Sequence, residues 1–160
     1  MARKKAATKV FDPATFGKLV RMDRKRAGFS SAPKFSEAIK NKTGVYVDPD
    51  TLHKIERGER EPDITKLIAI CATMYERELL GWSANMGSLI HQSQPVEFAF
   101  SEPKYALQRE YIKQYKEKFG ISPDFNHVSA TCDYRVPDEY IPGSEKETSF
   151  AAMFRSNSKK

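Results

Sequence analysis

The sequence predicts a mainly α-helical chain: an N-terminal bundle of four or five helices, followed by a small α+β module. Three observations carry this expectation. Between residues 12 and 74, four stretches repeat apolar residues at helical spacing, each opened by a capping Asp or Ser and the first three closed by Gly. Every such stretch is short enough to need its neighbours for burial. After residue 92 the pattern changes: Val96–Phe100 alternates apolar and polar like a strand, and His127–Val136 could form a second strand antiparallel to it.

The first helix is expected to start near Asp12-Pro13 and run to Ala27, with Gly28 as its stop and Phe16, Leu19 and Val20 as its buried stripe. Ser30 or Ser31 caps the second, whose early Pro33 is tolerated in the first turn and whose buried face is Phe35, Ala38 and Ile39. The polar run from Lys40 to Gly44 reads as the exit from that helix, and Val45–Val47 bridges to the third. Asp48, Pro49 and Gly58 bracket the third helix as cap, first-turn proline and residue past the end. On it Leu52 and Ile55 share one face, which leaves Thr51, His53, Lys54 and Arg57 for the others. Glu59–Pro62 is a turn, and Asp63 caps a fourth helix with Ile64, Leu67, Ile68, Cys71 and Met74 at helical spacing.

Charge adds a direction. The 160-residue chain carries a formal net charge of +6. Residues 1–30 hold nine Lys/Arg against two Asp, so they carry +7 and the other 130 residues sum to −1. A positive front end suits an anionic partner. Residues 1–11 read as a flexible basic arm, either a solvated tail or an arm that touches phosphates or a minor groove. A short third helix with a narrow apolar stripe and a polar, partly basic remainder suits a helix that packs one side on its domain and lays the other in a DNA groove.

At this point the chain resembles the Cro/C1-type (XRE-like) helix-turn-helix family of DNA-binding proteins. The resemblance rests on Phe16–Val20, Arg24–Ser30, Phe35–Ile39, Thr51–Gly58 and Pro62–Ile68, and spans residues 14–75. It implies a lambda-repressor-like bundle of five helices whose second and third form the DNA-reading pair. It also implies an ion pair, because Arg24 matches a first-helix arginine that in relatives bonds the glutamate standing here at position 56. The chain departs from the pattern in three ways. Lys40–Tyr46 adds about six residues between the second and third helices, and Ser31-Ala32-Pro33 stands where relatives favour a glutamine. Asp48 and Asp50 put negative charge where the third helix would meet DNA, Asp48 as its cap and Asp50 as either a repulsive group or an acceptor.

On this reading double-stranded DNA is the partner and the start of the third helix enters the major groove. Asp50, Thr51, His53 and Lys54 are the expected base contacts; His53 is as readily a plain solvent-exposed residue. Asp50 could accept from a cytosine amino group, Thr51 offer a hydroxyl or meet a thymine methyl, and Lys54 donate to guanine. Ser31, Lys34, Lys40, Lys42, Arg57 and Arg60, with Arg3, Lys4 and Lys5 of the arm, are the expected phosphate contacts.

The divisions expected are a basic arm (1–11), a helix-turn-helix domain (12–91), a dimerisation or partner-binding module (92–137) and a disordered tail (138–160), where Phe150, Met153 and Phe154 could dock. Leu79, Leu80, Trp82, Met86 and Leu89 suit either a fifth helix on the bundle or a dimer interface. Within Ser101–Gly120, Tyr105, Leu107, Tyr111, Ile112, Tyr115 and Phe119 are candidate inner residues.

The expected function is sequence-specific transcription regulation, most simply repression by occupying an operator, in a phage, mobile-element or bacterial setting. The alternative is an antitoxin or protein inhibitor with an autoregulatory DNA-binding domain and a partner-binding second half. Catalysis finds no support. His53, His91 and His127 are scattered, and with Cys71 and Cys132 the only cysteines no metal-ligand spacing arises. Asp138-Glu139 is most simply a solvated surface. No phosphate loop, dinucleotide turn or His-Glu-x-x-His is present, so no cofactor is expected. No apolar run approaches the roughly 18 residues of a membrane span. The basic start lacks the apolar stretch of a signal peptide, and the cysteines demand no disulfide, which points to a reducing cytoplasm.

Overall fold

A computed structural model describes residues 4–133, with Ala130–Asp133 described in backbone only. Arg3, the expected tail at 138–160 and most of the second expected strand's C-terminal end lie outside the described residues, and so does the Cys132 side chain.

α1 (Pro13–Arg26) begins where Asp12 caps it: Oδ1 accepts from the Ala14 N–H at 3.0 Å and Oδ2 accepts from the Thr15 hydroxyl at 2.5 Å. It buries Pro13, Phe16, Gly17, Val20 and Arg24. α2 (Ala32–Thr43) has Ser31 in the cap position without a side-chain bond, and it buries Ala32, Phe35, Ser36 and Ile39. Lys40–Thr43, expected as an exit, form the last helical turn instead. The Gly44 N–H donates to the Lys40 carbonyl with Gly44 at φ 73°, so the left-handed stop lies past them. The extra length between the second and third helices is thus mostly helix.

The five-residue link that remains is pinned from inside. Val47 is fully buried, and the Ser36 hydroxyl donates to its carbonyl. α3 (Pro49–Glu56) follows, its first turn closed by the Thr51 N–H donating to Asp48 Oδ1 at 2.9 Å. Asp63 caps α4 (Ile64–Met74) through the Lys66 N–H at the same distance. α4 faces inward with Ala69, Ile70, Cys71, Thr73 and Met74. Ile64, expected inside, is 66% exposed, because the cap turn lifts it off the core. α5 (Gly81–Gln92) packs on α1 and α4 and buries Leu89. Phe16, Val20, Phe35, Ile39, Val47, Leu52, Ile55, Ile70 and Leu89 meet in one core.

Two expectations are corrected. Val96–Phe100 is not a strand. Val96–Ala99 forms the single-turn helix α6, in which Val96 and Ala99 are buried, as is Phe100 just after it, while Phe98 is exposed. Those buried positions are also i, i+3 and i+4, so five residues satisfied both periods, and Pro95 opened the helical one. Residues 127–133 are not a strand either. They belong to α8 (Phe125–Asp133), whose first turn closes by the His127 N–H donating to Asp124 Oδ1. All regular structure among the described residues is helical, so no α+β module forms there.

The arm is tied as well. The Lys5 N–H donates to the Gly58 carbonyl and the Asp12 N–H to the Ser93 carbonyl. Residues 92–106 belong with the bundle, since the chain divides into two compact units between Ala106 and Leu107. The second unit contains α7 (Ala106–Phe119), apart from its first residue, and α8. There Tyr111, Tyr115 and Phe119 stack along one face of α7, and His127 of α8 lies against the two tyrosines. Ile112 is buried as expected, but Leu107 and Phe119 are about half exposed.

Candidate nucleic-acid interface

α3 divides cleanly into an inner and an outer face. Leu52 and Ile55 are fully buried, and Thr51 and Glu56 nearly so. Asp50, His53, Lys54 and Arg57 lie outward at i, i+3, i+4 and i+7, which is one stripe of a 3.6-residue helix.

The inner face fixes how that stripe is presented. Arg24 of α1 donates from Nε to Glu56 Oε1 at 2.6 Å, from Nη2 to Oε2 at 3.2 Å, and from Nη1 to the Phe29 carbonyl at 2.5 Å. Gly17 brings the α1 backbone against the Ile55 and Glu56 carbonyls, so close that a Cβ there would lie 2.4 Å from one of them. Past the helix, Gly58 at φ 71° sits against the Pro13 and Ala14 backbone. Three contacts therefore lock the end of α3 to α1.

Each expected site residue among the described residues finds a definite place. Asp50 and Lys54 pair with each other at 2.6 Å on the outer face, and His53 is exposed beside them. Thr51 is 5% exposed and its hydroxyl accepts from Arg60 Nη1 at 3.4 Å. A base contact from Thr51 does not fit this burial. As the third helical residue its side chain turns back toward the cap, not out toward a groove.

Arg57 forks onto Glu59, with Nε and Nη2 at 2.7 and 2.9 Å from the two carboxylate oxygens. That bonding holds the Glu59 carboxyl below its ordinary range and raises the guanidinium of Arg57. Arg60 is exposed apart from its long bond to Thr51. Lys40 lies 5.8 Å over the Tyr46 ring, a cation–π distance. Lys42 pairs with Glu76 at 2.9 Å, beyond the end of α4, and lowers that carboxyl. It is drawn toward α4 and not held on the α3 face. Lys34 is exposed in the first turn of α2, and Ser31, half-buried, directs no bond to that helix end.

The arm joins this surface. Lys5 is held at Gly58 through its backbone and approaches Glu61 at 3.4 Å through its ammonium, so it lies along the turn that carries Arg60. Lys4 is exposed next to it. Sequence reasoning missed Glu59 and Glu61 as partners. The alternation Arg57-Gly-Glu-Arg-Glu61 was the available signal, since acids interleaved with bases in a turn pair readily.

Among the described residues no group of three or more His, Cys, Asp or Glu is placed to hold a metal ion. No described helix is long and apolar enough to cross a membrane. The arrangement offers hydrogen-bond donors and acceptors along one helix face, with cations at its end. Comparison with protein-family models, with curated proteins and with solved structures yields no match.

Proposed function

We propose that the first unit binds double-stranded DNA sequence-specifically and that the chain regulates transcription, most simply as a repressor of phage, mobile-element or bacterial type. The observation that supports this reading is the outward stripe of α3. A short capped helix is anchored along one side by Leu52, Ile55 and the Arg24–Glu56 pair, and presents Asp50, His53 and Lys54 on the other. Polar side chains on a rigid helix suit reading base edges in a major groove, which admits one helix. Arg60, Lys4, Lys5 and Lys34 lie exposed or near the turn, as phosphate contacts would need to. The regulator would act in the cytoplasm by occupying an operator, as a homodimer on two half-sites, and would need no cofactor.

Selection of bound duplexes from a random pool by the full chain tests this. The expected winner is a palindrome with half-sites about 10 base pairs apart, or a multiple of that spacing. Failure to enrich any sequence at about 150 mM salt would overturn the reading.

A second reading has its own support. Leu79 is 99% exposed and Leu80 77%, adjacent to each other and close to Trp82. Two exposed leucines side by side in the chain suit a protein contact. An antitoxin or inhibitor with an autoregulatory DNA-binding unit would use it, together with the second unit. A stoichiometric complex with a different protein, formed by the full chain without DNA and abolished by Leu79→Asp, would favour this reading.

A further inference from the structure

We propose that Asp50 and Lys54 read one base pair as a single unit, and that this pair is G·C, with cytosine meeting Asp50 and guanine meeting Lys54. The inference rests on the DNA-binding reading above.

Asp50 is the second residue of α3 and Lys54 lies one turn further on. Oδ2 of the first meets Nζ of the second at 2.6 Å, and the side chains are 69% and 40% exposed. Among the described residues neither side chain has a second hydrogen-bonding partner. The outer carboxylate oxygen remains an acceptor, and the ammonium keeps two donors. An acceptor and a set of donors thus stand side by side at the free surface.

The major-groove edge of a G·C pair is the complement of that arrangement. Guanine presents two acceptors in a row, O6 and N7, and cytosine presents its N4 amino donor beside them. The ammonium can bridge O6 and N7 while the carboxylate accepts from N4. An A·T pair fits less well. Its single amino donor lies between isolated acceptors, and the thymine methyl closes the edge. No pair of adjacent acceptors is left for the ammonium.

The pairing also answers a charge problem. A lone carboxylate at the entry of a recognition helix is repelled by phosphates. Held against Lys54 it becomes one end of a neutral dipole, and a surface ion pair of this kind costs little to reshape during binding. Arg57 is turned to Glu59 through Nε and Nη2, so the cation that stands beside Asp50 is Lys54.

Duplex selection with the full chain, with Asp50→Asn, with Lys54→Gln and with the double variant tests the proposal. Asp50 is exposed and Lys54 half-exposed at the surface, so melting temperatures should stay close to that of the parent chain. The parent's half-site is expected to contain one invariant G·C pair. Each single variant should relax that same position by about tenfold or more, and the double variant should lose little beyond either single. Relaxation at two different positions, or a shared position occupied by A·T, overturns the proposal while leaving DNA binding intact. A recovered motif that neither variant alters does the same. Absence of any enriched motif overturns the DNA-binding reading and this proposal with it.

Discussion

Arg24 and Glu56 form a forked ion pair, Nε to Oε1 at 2.6 Å and Nη2 to Oε2 at 3.2 Å, with both side chains under 5% exposed. The two residues are 32 positions apart and tie α1 to the end of α3. Removing the arginine would leave a buried carboxylate without a partner, which costs about 3–5 kcal/mol. Arg24→Ala is therefore expected to unfold the bundle and not merely to weaken a ligand contact. Thermal or denaturant melting checks this, and an unchanged melting temperature would refute it. Arg24→Lys should recover only part of the loss, because a point charge cannot satisfy both oxygens and the Phe29 carbonyl.

Gly17 sets the distance across the same contact. A Cβ there would lie 2.4 Å from the Ile55 carbonyl oxygen, 2.6 Å from that of Glu56 and 2.8 Å from its carbon. All three atoms are backbone, so no side chain can swing away to relieve the clash. Ala is the better helix former and would otherwise favour α1 by roughly 0.5–1 kcal/mol. Here the clash wins, and Gly17→Ala is expected to destabilise the bundle by about 1–3 kcal/mol. Chemical denaturation of the variant reads this directly. A stability equal to or above the parent's would mean that α1 and α3 do not approach this closely.

Most of the bundle is legible in the sequence, because its signals are local. Asp12, Asp48 and Asp63 each cap the helix that follows, and the buried stripes of α1, α2 and α3 obey the helical period. The outward residues of α3 followed from the same periodicity. Thr51 did not, since its burial comes from the cap turn and from Arg60, nine residues away. Val96–Phe100 fits both periods, so packing decided it. Pairings such as Lys42–Glu76 and Lys5–Glu61 join residues far apart in the chain, and no local pattern encodes them. The Arg24–Glu56 pair is equally remote, and the family resemblance, not any local pattern, suggested it.

The helix caps make a pH prediction. Hydrogen bonds to the first turns of α3 and α4 hold the carboxyls of Asp48 and Asp63 below their ordinary value of 3.8. A folded-state value below the unfolded one means the stabilisation is present above the unfolded value. It is lost as pH falls through the folded one. The melting temperature is expected to drop below about pH 4. Asp48→Asn keeps an amide oxygen that can cap but removes the titration, so this variant should lose less stability on acidification than the parent. Parallel melts from pH 6 to pH 2 check the difference, and identical acid profiles would remove Asp48 as a contributor.

The tie between Lys5 and the α3–α4 turn changes what the arm can do. Its backbone N–H is held by the Gly58 carbonyl at 2.9 Å, and its ammonium is 3.4 Å from Glu61. An arm anchored there can add cations beside Arg60 but has little slack from Lys5 onward to follow a groove. Arg60→Ala should weaken all duplexes alike and lower the salt slope by about one. Deleting residues 1–6 removes Arg3, Lys4 and Lys5, which should lower it by about three and leave the selected sequence unchanged, because phosphate contacts carry no sequence information. Glu61→Gln should act in the opposite direction, since it frees Lys5 from a competing carboxylate and so tightens binding at low salt. A deletion that instead erased an A·T preference beside the half-site would show that the arm leaves Gly58 and enters the minor groove.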